Sequence, residues 1–130
     1  MRDEIVAAVV NRVPKYVAST TLDKVEWNNS MLLEGDVPDA VAALKKELSG
    51  EIHVSGSWGL LQTLIHENLV DEYDQWTFPV LLGTGKRLFD TGTIPPGLEL
   101  MQSRASSTGV VIHRYRRAGE IKYDSFALEE

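Results

Sequence analysis

The 130-residue chain contains no cysteine, which excludes a disulfide framework and a thiolate metal site. Its histidines are few and scattered: His53, His66 and His113 show no ligand-like pairing on one helix face, so no imidazole metal cluster is expected. No apolar run approaches the roughly 20 residues that a membrane-spanning helix needs. The opening MRDEIVAAVVNRV places Asp3 and Glu4 where a secretory signal is basic. It also lacks the longer apolar core and small-residue cleavage site of such a signal, and a cytoplasmic protein is expected. Basic charge is scarce as well, with 13 Lys and Arg against 19 Asp and Glu and a net charge of −6. Phosphate backbones require concentrated Lys and Arg, so a nucleic-acid partner is not expected. The one basic cluster, Arg114, Arg116 and Arg117, reads as a solvated strand end. Internal repeats and low-complexity tracts are absent.

What is present fits one globular domain: 43% hydrophobic and 25% charged residues are close to the average for folded proteins. Ile5, Val6, Val9, Val10 and Val13 recur at helical spacing and Pro14 closes the run. Lys15-Tyr16-Val17-Ala18 reads as a buried strand, and Met31-Leu32-Leu33 as a short one. Asp36 offers an N-cap, with Pro38 and Asp39 in the first turn and Val37, Val41, Leu44 and Leu48 as a continuous stripe. Glu51-Ile52-His53-Val54 reads as strand, Leu60, Leu61, Leu64 and Ile65 as helix, and residues 71–78 as strand. Residues 98–101 and 109–115 alternate as an antiparallel pair would. Strand, helix, strand, helix, strand is the order that gives a parallel sheet with ligands at the carboxyl ends of its strands.

Several places could carry chemistry. Ser55-Gly56-Ser57-Trp58-Gly59 joins a strand signal to a helix start, where glycine permits close backbone approach and free amides suit a phosphate. The third glycine of a G-x-G-x-x-G fingerprint is missing, so phosphate site and plain turn stand evenly on spacing alone. Gly83-Thr84-Gly85-Lys86 suggests a Walker loop, but Val80 stands where that motif needs glycine and Arg87 where it needs Ser or Thr. A plain glycine loop is the better reading there. Asp71-Glu72 could do acid–base work but reads more readily as capping. Trp27, Trp58 and Trp76 read as core or rim residues.

Taken together, Lys15–Ser19, Trp27–Ser30, the turn from Val54 to Leu60, Leu69-Val70-Asp71-Glu72 and the block Phe78–Phe89 (FPVLLGTGKRLF) come in a familiar order and spacing. From about Lys15 to Tyr115 the chain resembles the dihydrofolate-reductase-like family, in particular the C-terminal reductase domain of the bacterial bifunctional riboflavin deaminase-reductase and its small stand-alone members. The resemblance implies an α/β, dihydrofolate-reductase-like fold. Its mostly parallel sheet would be flanked by helices and carry a C-terminal antiparallel strand pair. Residues 1–117 would form one domain, and 118–130 an acidic tail or an edge strand around Ile121-Lys122-Tyr123.

The same resemblance implies NADPH as cofactor, with NADH open, and hydride transfer to a small pterin- or pyrimidine-like heterocycle, as in a 5-amino-6-(5-phosphoribosylamino)uracil reductase. Ser19 and Thr20 match where the family holds the adenosine end. Ser55, Gly56, Ser57, Trp58, Gly59 and Leu60 match the segment that cradles the pyrophosphate. No catalytic residue is assigned. The family opens with a central strand and helix that this chain is expected to lack, which would leave neighbouring backbone groups unpaired and favour a homo-oligomer. The alternative is a non-catalytic nucleotide-binding or structural remnant that oligomerises. Ser55 stands where the family commonly has an acidic residue. Thr20 stands where an arginine frequently helps bind the 2′-phosphate, and a neutral hydroxyl cannot pair with that dianion as a guanidinium does.

Overall fold

Helical spacing closed by Pro14 produces α1 (Arg2–Arg12) in the computed structural model, which describes residues 2–92 and 96–121. The chain divides into two compact units, residues 1–53 and 54–130. In the first, the carbonyls that end α1 have no intrahelical partner and are met by side chains from downstream. Lys15 Nζ donates to the Val10, Asn11 and Val13 carbonyls at 2.7, 3.2 and 2.8 Å. Asn28 and Asn29 donate to the Asn11 and Arg12 carbonyls, both at 3.0 Å. Trp27 Nε1 reaches Asn11 Oδ1 at 2.6 Å, and the Lys15 ammonium sits 4.9 Å from the Trp27 ring centre. This anchoring sets the start of β1 (Lys15–Val17), which pairs in parallel with β2 (Ser30–Leu32).

Helix α2 (Val37–Glu47) begins as expected: Asp36 has extended backbone and its carboxylate accepts the Asp39 amide at 3.2 Å. The helix closes with Lys45 and Lys46 in its negative-end turn. The strand expected at Glu51–Val54 does not form; those residues have no regular structure and are exposed. Glu51 and His53 pair with each other at 2.9 Å instead, since side chains two apart on an extended segment share a face. Extended chain counts as strand only when a neighbour takes up its amides. Parallel pairing among the described residues is therefore confined to β1 and β2.

In the second unit, α3 (Trp58–His66) ends in a Schellman motif. Asn68 takes the left-handed conformation at φ 57°, its amide bonds the Ile65 carbonyl, and the Leu69 amide bonds that of Leu64. Next come β3 (Glu72–Thr77), β4 (Leu98–Ala105) and β5 (Val111–Arg117), an antiparallel sheet in the order β3-β5-β4. The C-terminal antiparallel pair is thus present and gains β3 as a third member. Arg117 ties helix to sheet, donating to the Asn68 and Val70 carbonyls at 2.7 and 3.0 Å. The sheet's exposed face carries a bidentate Arg114–Asp74 pair at 2.9 and 2.8 Å. Lys122 and Tyr123 of the suggested edge strand lie outside the described residues.

Leu64, Ile65 and Tyr73 are the buried apolar residues among those described in this unit, and Phe89 packs edge-on against the Tyr73 ring at 5.7 Å. Burial raises the Tyr73 phenol above its usual range, and the Arg117 guanidinium partly opposes it. The folded state therefore holds a proton that the unfolded chain releases near pH 10. The corresponding stability is complete below that pH and is lost as pH rises through the folded value. Urea midpoints on either side of about pH 10 should fall for the native chain and fall less for Tyr73→Phe. An equal fall in both would remove Tyr73 as the cause.

Candidate functional site

The turn from Ser55 to Leu60 has an unusual backbone. Gly56 sits at φ 68°, and a Cβ placed on it would meet nothing within 4 Å. Ser57 follows at φ 52°, ψ 58°, also left-handed, which a non-glycine residue adopts at a cost. Ser57 holds the N-cap position of α3, yet its hydroxyl makes no capping bond. Because the first intrahelical bond runs from the Leu61 amide to the Ser57 carbonyl at 2.9 Å, the amides of Trp58, Gly59 and Leu60 have no helical acceptor. The positive end of the helix dipole is also left without an acid: α1 has Asp3 and Glu4 in its first turn and α2 has Asp39, but α3 has none. Unpaired amides, a free hydroxyl and open space above a glycine suit an anion approaching the helix end.

The glycine loop completes this site. Trp58 Nε1 donates to the Arg87 carbonyl at 2.8 Å, and Gln62 Nε2 to that of Leu88 at 2.7 Å. These bonds strap residues 83–89 onto α3, and Phe89 anchors the far end on Tyr73. Gly83 and Gly85, at φ 76° and 147°, turn the chain so that Lys86 Nζ lies 5.0 Å from the Trp58 ring centre. A cation thus stands beside the first residue of α3. Reading the sequence as a failed Walker motif missed this role for Lys86. Two glycines just ahead of a basic pair were visible, but contact with a helix 26 to 29 residues upstream in sequence was not. A groove of about 350 Å³, lined in part by Gln62, Thr63, His66 and Asp90, shares Trp58 with the turn.

The six turn residues Ser55, Gly56, Ser57, Trp58, Gly59 and Leu60 are therefore brought together in one unit. Ser19 and Thr20 belong to the other unit, just past the end of β1. Ser19 Oγ accepts the amides of Thr21 and Leu22 at 3.2 and 3.1 Å and lies 3.4 Å from Thr21 Oγ1. Its hydroxyl is engaged in this local turn, with the Thr21 Oγ1 contact able to run in either direction, whereas Thr20 is exposed. Among the described residues no group of three His, Asp or Glu side chains could hold a metal ion, and no helix is long and apolar enough to cross a membrane.

Comparison with known proteins agrees with this architecture. A crystal structure of a Shewanella sp. PV-4 protein, assigned provisionally to riboflavin biosynthesis, superposes with a TM-score of 0.69 at 23% identity. The match covers 90% of this chain and 71% of that one, and at this identity it shows the fold alone. The uncharacterized protein YyaP of Bacillus subtilis strain 168 is 33% identical over 103 residues, 79% of this chain and 54% of YyaP. The chain thus spans about half the length of that curated relative. The family model of the RibD C-terminal domain matches residues 2–112, an interval that contains β1 to β4, helices α1 to α3, the Ser55–Leu60 turn and the Lys86 loop. With its dihydrofolate-reductase-like fold and that near-complete match, the chain belongs to the RibD C-terminal domain family, a reductase family.

Proposed function

We propose that the chain binds NADPH, with NADH as a weaker alternative, and reduces a small pterin- or pyrimidine-like heterocycle. The observation that carries this reading is the start of α3, bare of carboxylates and faced by Lys86. The amides of Trp58, Gly59 and Leu60 and the Ser57 hydroxyl would hold the pyrophosphate, with Lys86 neutralising part of its charge. Gly56 would let the backbone approach without a Cβ in the way. When bound, the nicotinamide supplies the hydride, and the protein's part is to bind and orient. Thr20 is uncharged where a guanidinium would grip a 2′-phosphate, so the preference for NADPH over NADH should be small.

The test is a titration of the chain with NADPH and NADH followed by tryptophan fluorescence, Trp58 being the reporter at the site. Saturable quenching in the micromolar range is expected, lost in Trp58→Phe. Lys86→Gln should weaken NADPH binding about tenfold, the value of one hydrogen bond to a charged group. Unchanged affinity would remove Lys86 from the site. Absence of binding even at millimolar cofactor would sink the reading altogether. Binding without consumption of NADPH across a panel of pterins and pyrimidines would favour a nucleotide-binding role without turnover.

A further inference from the structure

The antiparallel sheet carries a second groove, on the face opposite the one that bears Tyr73. Side chains alternate along a strand, so Tyr73 points to the buried side while Glu72, Asp74 and Trp76 share the outer one. Opposite them on β5 stand Arg116, Arg114 and Ile112. On β4 the register passes from Leu100 opposite Tyr115 to Gln102 opposite Arg114, so Met101 is an inserted residue. Side chains on either side of such a bulge exchange faces. Without it Arg104, five residues past Glu99, would lie on the Tyr73 side. With it Glu99, Gln102 and Arg104 all join the outer face, opposite Arg116, Arg114 and Ile112.

The outer face is therefore built of three rows, and charge changes from one to the next. The first row, Glu72–Arg116–Glu99, sets two carboxylates about one guanidinium, with Arg116 bonded to Glu99 at 2.7 Å. The second, Asp74–Arg114–Gln102, holds one charge of each sign, joined by the bidentate pair. The third, Trp76–Ile112–Arg104, has a guanidinium alone. Among the described residues Arg104 has no ion pair, and its N–H groups, the Gln102 amide and the Trp76 indole N–H have no hydrogen-bond partner. These three side chains, with Ile112 as the floor and the Asp74–Arg114 pair as an end wall, line a groove of about 220 Å³.

The groups left over define what fits. Trp76 and Arg104 stand two strands apart, about 10 Å, so one small molecule can reach both. The exposed Trp76 ring and the half-buried Ile112 offer an apolar surface to a flat body. Arg104 offers the planar fork that matches a carboxylate, and Gln102 adds a further donor beside it. A cation would meet Arg104 and be repelled. A phosphate dianion would find no second free cation, because the Arg114 guanidinium is already bound to Asp74. The volume lies below the roughly 300–1,000 Å³ of sites for drug-sized ligands, which limits the body to one or two rings.

From this arrangement we propose that the groove binds a small aromatic monocarboxylate, its rings across Ile112 against Trp76 and its carboxylate on Arg104. The site is separate from the start of α3 and does not rest on the reductase reading. The probe is 2-naphthoate, with 2-naphthamide as its uncharged counterpart, and NMR of the indole N–H groups tells Trp76 from Trp58. Naphthoate should shift the Trp76 resonance saturably, with a Kd on the order of 0.1–1 mM, and leave that of Trp58 in place. Arg104→Gln should weaken binding about tenfold, the loss of one charge-assisted partner. Arg104→Lys should weaken it less, since lysine keeps the charge without the fork. Naphthamide should bind the native chain about tenfold more weakly than naphthoate, and Arg104→Gln should remove that difference. Arg104 is exposed, so the fold survives either substitution. An unmoved Trp76 resonance at millimolar naphthoate overturns the proposal, as does a shift confined to Trp58. Equal affinity of the native chain and Arg104→Gln for naphthoate, or of acid and amide for the native chain, overturns it as well.

Discussion

Replacing Gly56 by valine is expected to abolish NADPH binding and to lower the stability of the second unit by about 1–3 kcal/mol. The two effects have separate causes. At φ 68° a β-branched residue is strained whatever room surrounds it, so the turn pays part of its folding energy to hold valine there. A Cβ on Gly56 would touch no protein atom, so in the proposed site it would occupy space that the pyrophosphate needs at the start of α3. Gly56→Asn separates the causes, because asparagine tolerates left-handed backbone. It should keep near-native stability in urea while still weakening NADPH through its side chain. Unaltered NADPH affinity in Gly56→Val would move the pyrophosphate away from this turn.

Tyr73→Ala should cost about 3–5 kcal/mol, the range for deleting a large buried ring. Tyr73 is 7% exposed and joins Leu64 and Ile65 as the buried apolar residues among those described, so little else is placed to fill the gap. Phe89 would lose the ring it packs against. Since Phe89 anchors the loop that presents Lys86, cofactor affinity should fall together with stability. Urea unfolding followed by Trp58 and Trp76 in a Trp27→Phe background reads this unit alone. Trp76→Ala provides the contrast in a Trp58-only readout: at 62% exposure it should cost about 1 kcal/mol or less. A comparable cost for both would mean that the core does not lie where Tyr73, Leu64 and Ile65 meet.

Much of the local structure was legible in the residues. Pro14 behind a helical stripe ends α1, Asp36 with Pro38 and Asp39 begins α2, and alternation over 98–101 and 109–115 marks β4 and β5. Each of these signals acts within a few residues, which is why spacing and residue type suffice to read it. The strand anticipated at Glu51–Val54 shows the limit, since an apolar-polar alternation is satisfied only if a neighbouring strand accepts its amides. The position of the Ser55–Leu60 turn at a helix start was readable as well. Its two consecutive left-handed residues and its uncapped hydroxyl were not, because Ser57 is not a residue type that announces positive φ.

Family membership and the candidate phosphate turn were thus determined by the sequence itself, through motifs whose chemistry is local. Only the tertiary structure decided that Lys86 stands beside Trp58, that Arg117 closes the end of α3, and that a bulge at Met101 turns Glu99 and Arg104 to one face. These depend on contacts between residues far apart in the chain. The free energy of such contacts comes from groups that have no partner in their own segment: the Arg87 and Leu88 carbonyls on the loop, and the Asn68 and Val70 carbonyls past α3. A backbone carbonyl must be bonded wherever it is shielded from water, but no pattern of neighbouring residues states which distant side chain will bond it.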